Sequence, residues 1–133
     1  MIIKKLLILG SVLGGIGVLI GAFGAHGLEN KLNPDQLQTF ETGVRYQFYH
    51  AFLALVAGLV PSLSRKKVNL IFYCILAGVI LFSGSIYGLA TNALTGFDFS
   101  QIALLTPVGG LFLIAAWIIL LLGIIKLKTK KTT

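Results

Sequence analysis

Charged residues divide the chain into four uncharged windows, Leu6 to Leu28, Tyr46 to Ser64, Val68 to Phe97 and Phe99 to Ile125. Nothing else in the sequence constrains the fold as much. A bilayer core about 30 Å thick takes about 20 helical residues to cross, so each window accommodates one span and none accommodates two. The last two windows leave room for a short ordered loop around Asp98. Of the 133 residues only 11% are charged, against about 25% in a typical soluble domain. The chain is therefore expected to be an integral membrane protein.

The formal net charge of +7 would suggest a nucleic-acid partner in a soluble protein. Here the basic residues punctuate apolar runs, and no nucleic-acid partner is expected. Lys and Arg are held back on the cytoplasmic side during insertion. Lys4 and Lys5 precede the first window, Arg65, Lys66 and Lys67 separate the second from the third, and Lys126, Lys128, Lys130 and Lys131 follow the fourth. The opposite side receives Lys31 and Arg45 together with all four acids, Glu29, Asp35, Glu41 and Asp98. Both termini are thus expected in the cytoplasm.

The predicted architecture is an all-α membrane protein, a four-transmembrane-helix bundle forming one domain over 1–133. The spans are placed at 6–26, 46–63, 69–91 and 102–125, with an amphipathic outer lead-in to the second helix over 34–45. A competing reading of the first segment is a cleaved signal peptide, with a basic start and small residues around Ala22-Phe23-Gly24. Against it, the apolar stretch is long for such a peptide and carries an ordered glycine pattern.

That pattern is Gly10, Gly14, Gly17, Gly21 and Gly24, spaced to keep one stripe of a helix. Lipid tails are as apolar as leucine, so membrane helices associate through close backbone contact, which glycine ridges permit. The first span is expected to be central to the bundle or to a homo-oligomer formed through this ridge. Gly84 and Gly88 repeat the idea in span three, and Ala51, Ala54 and Gly58 form a weaker stripe in span two.

Asn33 can cap a helix, Pro34 suits its first turn and Asp35 complements its dipole. Leu37, Phe40, Val44, Phe48 and Ala51 follow at helical steps, predicting one long helix that ends near Pro61. Pro107 sits near the outer end of span four, where a kink or re-start is expected. The basic tail from Lys126 is suited to anionic headgroups.

Two segments carry a family resemblance: Gly21-Ala22-Phe23-Gly24-Ala25-His26-Gly27-Leu28, and Phe40-Glu41-Thr42-Gly43-Val44-Arg45-Tyr46-Gln47-Phe48-Tyr49-His50-Ala51. Ser83-Gly84-Ser85-Ile86-Tyr87 and Thr106-Pro107-Val108-Gly109-Gly110 fit it as well. The chain resembles, over nearly its whole length, the small multi-pass membrane proteins of domain of unknown function family 423, also called uncharacterised protein family 0382. Relatives of that family include the eukaryotic transmembrane protein 256. The resemblance implies four helices in a cell membrane and assigns no activity or functional residues.

By topology, His26, Arg45, Tyr46, Gln47, Tyr49, His50, Ser83, Ser85, Tyr87, Thr91 and Thr106 all fall in one layer toward the outer face. Glu41, Arg45 and Tyr49 are four residues apart in series, as are Thr42, Tyr46 and His50, and Glu41 can pair with Arg45. Such a layer can simply satisfy itself across helices. The sharper reading is an outward-opening site for a lipid or small amphiphile. In it Arg45 anchors a headgroup, His26 and His50 hydrogen-bond or carry protons, Gln47 and Ser85 contribute polar atoms, and Tyr46, Tyr49 and Tyr87 form walls.

Other chemistries are weaker. His26 and His50 with Glu29 or Glu41 do not form a metal-binding helical pair motif. Ser83 or Ser85 with His50 lacks a nucleophile elbow and an orienting acid. The glycines of span one lack a phosphate-loop ending, and Cys74 stands alone. No cofactor, metal or catalysis is predicted. The alternative function is an oligomeric small transporter or channel, which lacks the expected buried carboxylate.

Overall fold

The computed structural model describes residues 2–95, 98 and 102–128. The loop expected around Asp98 and the tail lysines Lys130 and Lys131 fall wholly or largely outside them. Four long helices carry the described chain: α1 (Lys4–Ala22), α2 (Pro34–Leu59), α3 (Arg65–Ala90) and α4 (Leu105–Ile125). A π-helical turn, Phe23–Gly27, continues α1, and a short 3-10 turn, Asn92–Leu94, follows α3. There is no strand among the described residues.

Three segments, Lys4–Gly27, Arg65–Ala90 and Leu105–Ile125, are long and apolar enough to cross a membrane. The α2 helix is as long as α3 but carries Asp35, Glu41 and Arg45 in its first half.

The N-terminus of α2 follows from its sequence. Asn33 Oδ1 accepts from the Gln36 backbone N–H and Gln36 Oε1 accepts from the Asn33 N–H, a reciprocal capping box with Pro34 in the first turn. The helix ends at Leu59, because Val60 precedes Pro61 and adopts an extended conformation (φ −73°, ψ 120°). Residues 60–63, placed inside the second span by the sequence, instead form the turn to α3. Arg65, Lys66 and Lys67, read as a connection, make the first turn of α3 after the cap Ser64. No kink occurs at Pro107. It lies in the first turn of α4, where its missing N–H is one the helix leaves unpaired in any case.

Each helix packs chiefly on its sequence neighbour: α1 on α2, α2 on α3, α3 on α4. The α1 helix is thus at an edge of the row and not central as expected. Its glycine stripe is used inside the chain, against α2. A Cβ on Gly10 would lie 2.7 Å from Ala51 O, on Gly17 3.1 Å from the Phe48 ring, on Gly21 3.3 Å from Val44 and on Gly24 2.6 Å from the Phe40 ring. Gly14 is looser, at 3.9 Å from Ala51. The expected homo-oligomer contact through this ridge is therefore already occupied by α2. In span three, a Cβ on Gly84 would meet nothing within 4 Å, so Gly84 is not a close-packing position, while Gly88 is buried.

The closest approach between α3 and α4 falls on two glycines the sequence did not single out. A Cβ on Gly109 would collide with the backbone of Phe82 and Leu81, and one on Gly78 would lie 2.5 Å from Leu113 Cδ2.

Apolar side chains form two clusters. The larger, including Leu6, Ala54, Ile71, Ile75, Ala116 and Leu120, fills the half toward the N-terminus of α1. The smaller, Leu28, Leu32, Phe40 and Ala90, closes the other end beneath the α1–α2 connection. Buried polar groups lie along the helices between them.

Candidate functional site

Gln47 is 3% exposed and joins three helices. Its Nε2 donates to the Leu13 carbonyl of α1 at 2.8 Å, and its Oε1 accepts from the Tyr87 hydroxyl of α3 at 2.7 Å. Ser83, fully buried, donates to the Gly43 carbonyl at 2.7 Å. Ser85 donates to the Phe82 carbonyl at 2.9 Å and also contacts the Thr106 hydroxyl. A hydroxyl has one proton and a carbonyl can only accept, so Thr106 is the donor to Ser85. No buried side-chain nitrogen or oxygen among the described residues lacks a partner. In an apolar medium such closure is what makes polar groups tolerable.

His50 is the fourth buried polar residue. Its Nδ1 lies 2.7 Å from the Tyr46 carbonyl, and the Trp117 indole N–H donates to its Nε2 at 3.1 Å. An indole only donates and a carbonyl only accepts, so the ring is neutral with its proton on Nδ1. Protonation of Nε2 would set N–H against N–H. In this arrangement the ring bridges α2 and α4. At about 1.5 Å per residue, some 13 Å of helix separates His50 from Leu59. The residue therefore lies in the middle part of α2, buried in the bundle.

Beside this bridge, the faces of α2, α3 and α4 enclose a hollow of about 400 Å³ that opens sideways. Tyr46, Tyr49 and His50 form one wall, Gly110, Leu113, Ile114 and Trp117 the opposite one, and Phe82 the floor. The rings brace one another: Tyr46 packs on Phe82 at 4.8 Å between centroids and edge-on to Tyr49 at 5.6 Å, while His50 meets Trp117 edge-on at 6.2 Å. The partly exposed Tyr46, Tyr49 and Trp117 face outward from the row.

The residues expected to share one site are distributed around α2. Tyr46, Tyr49 and His50 do come together in this hollow. Arg45 is exposed and lines a separate hollow of about 300 Å³ with Gly21, Gly24, Phe40 and Glu41, where no ion pair with Glu41 forms among the described residues. Tyr87 lies over Phe40, with ring centroids 5.0 Å apart, and borders a third hollow with Gly84 and Gly88. Gln47 and Ser85 are spent in helix-to-helix bonds, and His26 is exposed on the π-helical turn. No group of three His, Cys, Asp or Glu side chains among the described residues could hold a metal.

Sequence reasoning missed Trp117 and Phe82. Trp117 is the one tryptophan in the chain and sits in a helix whose other apolar residues, Phe112 apart, are aliphatic, a signal that could have drawn attention to it.

The family described as "Protein of unknown function (DUF423)" matches residues 20–110, which include the π-helical turn, all of α2 and α3, and the start of α4. The UPF0382 membrane protein YwdK of Bacillus subtilis is 39% identical over 125 residues, covering 92% of this chain and 98% of its own length. The UPF0382 membrane protein SSP2132 of Staphylococcus saprophyticus is 36% identical over 124 residues, covering 93% and 99%. The UPF0382 inner membrane protein YgdD of Escherichia coli K12 is 36% identical over 131 residues, covering 96% and 94%. No solved structure matches the chain. The chain is a multi-pass membrane protein and belongs to the DUF423, or UPF0382, family.

Proposed function

We propose that this protein crosses the cell membrane four times as one domain, with both termini cytoplasmic, and holds a lipid or small amphiphile in the aromatic hollow between α2 and α4. The fourth crossing is α2. Its 26 residues extend about 39 Å at 1.5 Å per residue, and its buried polar groups are paired internally, which offsets the cost of taking them through hydrocarbon. Four crossings return the chain to its starting side, in agreement with the clustering of basic residues at the α1 start, the α2–α3 turn and the α4 end.

The observation that carries the binding assignment is the hollow itself. It is concave, mostly apolar, walled by braced rings and open toward the lipid. The occupant comes from the surroundings: an acyl chain or flat apolar body fits the Leu113, Ile114 and Phe82 surfaces, and the Tyr46 and Tyr49 phenols offer hydrogen bonds at the rim. The hydrogen-bonded core beside it holds α2 and α4 at a fixed spacing.

Trp117 provides the test, because its fluorescence reports on this hollow alone. Brominated phospholipids, titrated into nanodiscs of ordinary phospholipid, should quench it saturably at low mole fraction. In Gly110→Leu, where the added Cβ meets only Phe82 at an ordinary 3.6 Å, the saturable phase should vanish. Quenching proportional to mole fraction in both proteins would mean annular contact without a site.

A further inference from the structure

At the opposite end from the four acids, the turn between α2 and α3 and the end of α4 enclose a fourth hollow, of about 550 Å³. Lys67, Lys126 and Lys128 line it. No carboxylate does, since Glu29, Asp35, Glu41 and Asp98 all belong to other segments. We infer that this hollow is a phosphate-binding site that takes the headgroup of an anionic membrane lipid. The inference is independent of the aromatic hollow and goes beyond the function proposed for it.

Three observations converge. The lysines come from two separate elements, so their convergence is a product of the fold and not of a run in the sequence. Lys67 belongs to the first turn of α3, whereas Lys126 and Lys128 follow α4. The fold makes specific room for this: Gly123 of α4 receives Leu63 and the Lys67 stem, and a Cβ there would lie 2.5 Å from Leu63 Cδ2 and 3.4 Å from Lys67 Cδ. Lys67 is consequently half-buried with its stem laid on α4, as expected of a lysine that covers apolar surface while keeping its charge at a rim.

Among the described residues, no acid lines the hollow to compensate its charge. No acidic residue occupies the first turn of α3, although three cations stand there against the positive end of the helix dipole. A bound phosphate would supply the missing negative charge.

The lining mixes chemistries in the way a headgroup requires. Ser62 and Ser64 supply hydroxyls, and Leu63 and Leu127 supply apolar surface beside them. The hollow sits where α2 ends, α3 begins and α4 ends, at the boundary between apolar helix and basic connection. Basic cavities between membrane helices at such boundaries bind anionic lipid headgroups. A free phosphate presents the same chemistry to the lysines but has no use for Leu63 and Leu127.

The test is native mass spectrometry of the full-length protein in mild detergent. Phosphatidylglycerol, phosphatidylcholine and inorganic phosphate are added separately, followed by phosphate in competition with phosphatidylglycerol. The expected result is binding of phosphatidylglycerol over phosphatidylcholine. Each lysine should contribute about a factor of five, so the triple variant Lys67→Gln/Lys126→Gln/Lys128→Gln should lose about a hundredfold in affinity.

A charge-matched triple away from the hollow, Lys4→Gln/Lys31→Gln/Arg45→Gln, should retain it. Ser62→Glu, which adds a carboxylate to the lining without touching a lysine, should weaken binding as well. Retention of inorganic phosphate with displacement of the lipid would support the site and identify free phosphate as its source. Equal losses in the two triples, or no preference for phosphatidylglycerol or inorganic phosphate over the zwitterionic phosphatidylcholine, would overturn the inference.

Discussion

The indole N–H of Trp117 donates to Nε2 of His50, which ties α4 to α2 although these two helices otherwise barely touch. The bond fixes the imidazole tautomer, because the other ring nitrogen is committed to the Tyr46 carbonyl. In histidine-labelled protein, nitrogen NMR should show His50 with a protonated Nδ1 and an unprotonated Nε2. Trp117→Phe keeps the ring but removes the donor, leaving Nε2 unpaired, and should cost about 1–2 kcal/mol of stability, read as a lowered melting temperature in detergent. A His50 signal with the proton on Nε2 would contradict the assignment.

Gln47 should be the most sensitive polar position in the bundle. Gln47→Leu removes bonds to both Leu13 and Tyr87 and strands the Tyr87 hydroxyl. The expected loss is about 1–3 kcal/mol, or somewhat less if partners are found in the unfolded state within the membrane. Adding Tyr87→Phe should recover part of the loss, because both ends of that bond are then apolar. A strictly additive double-mutant cycle would show that the two residues do not interact.

Glycines in the helices should separate sharply by position. Gly109→Ala drives a methyl group into the α3 backbone and should cost about 1–3 kcal/mol, since overpacking forces helices apart. Gly84→Ala meets open space and should change stability by no more than about 0.5 kcal/mol. Comparing the melting temperatures of the two variants, together with Gly78→Ala, checks the register of α3 against α4.

Crossing of the membrane by α2 predicts opposite accessibilities at its two ends. In a background with Cys74 replaced by alanine, a cysteine introduced by Glu29→Cys should react with an impermeant maleimide applied to intact cells. One introduced by Lys66→Cys should react only after permeabilisation. Matching reactivity at both positions would place both ends of α2 on one side of the membrane.

Much of the backbone was legible in the sequence. The four uncharged windows correspond to four helices, and Asn33, Pro34 and Asp35 specified the start of α2 to the residue, because capping depends only on local geometry. The start of α3 was misplaced because the basic run was read as a connection, whereas charge is compatible with the first turn of a helix, and of the kink or re-start expected at Pro107 the structure has a helix start.

The site was less legible. Hydrophobic periodicity separates inside from outside only where the outside is water, and α4 is apolar on every face. Nothing in its sequence tells that the half-exposed Trp117 bonds to His50. The packing roles of Gly78, Gly109 and Gly123 were unmarked for a related reason: each makes its close approach without the stripe that marked α1. On α2, by contrast, the sequence pointed to a set of polar residues, which their angular spread around the helix distributes over several hollows.

The row-like arrangement, in which every helix leans on the one synthesised just before it, bears on how the protein is made. The contacts that matter most are formed between neighbours in the chain, and α1 and α4 have no substantial contact to complete at the end. Loop closures are correspondingly short, which favours rapid assembly. The first hairpin can dock as soon as α2 has left the ribosome, Ser83 can then engage Gly43 when α3 arrives, and only the Trp117 clasp on His50 must wait for the last helix.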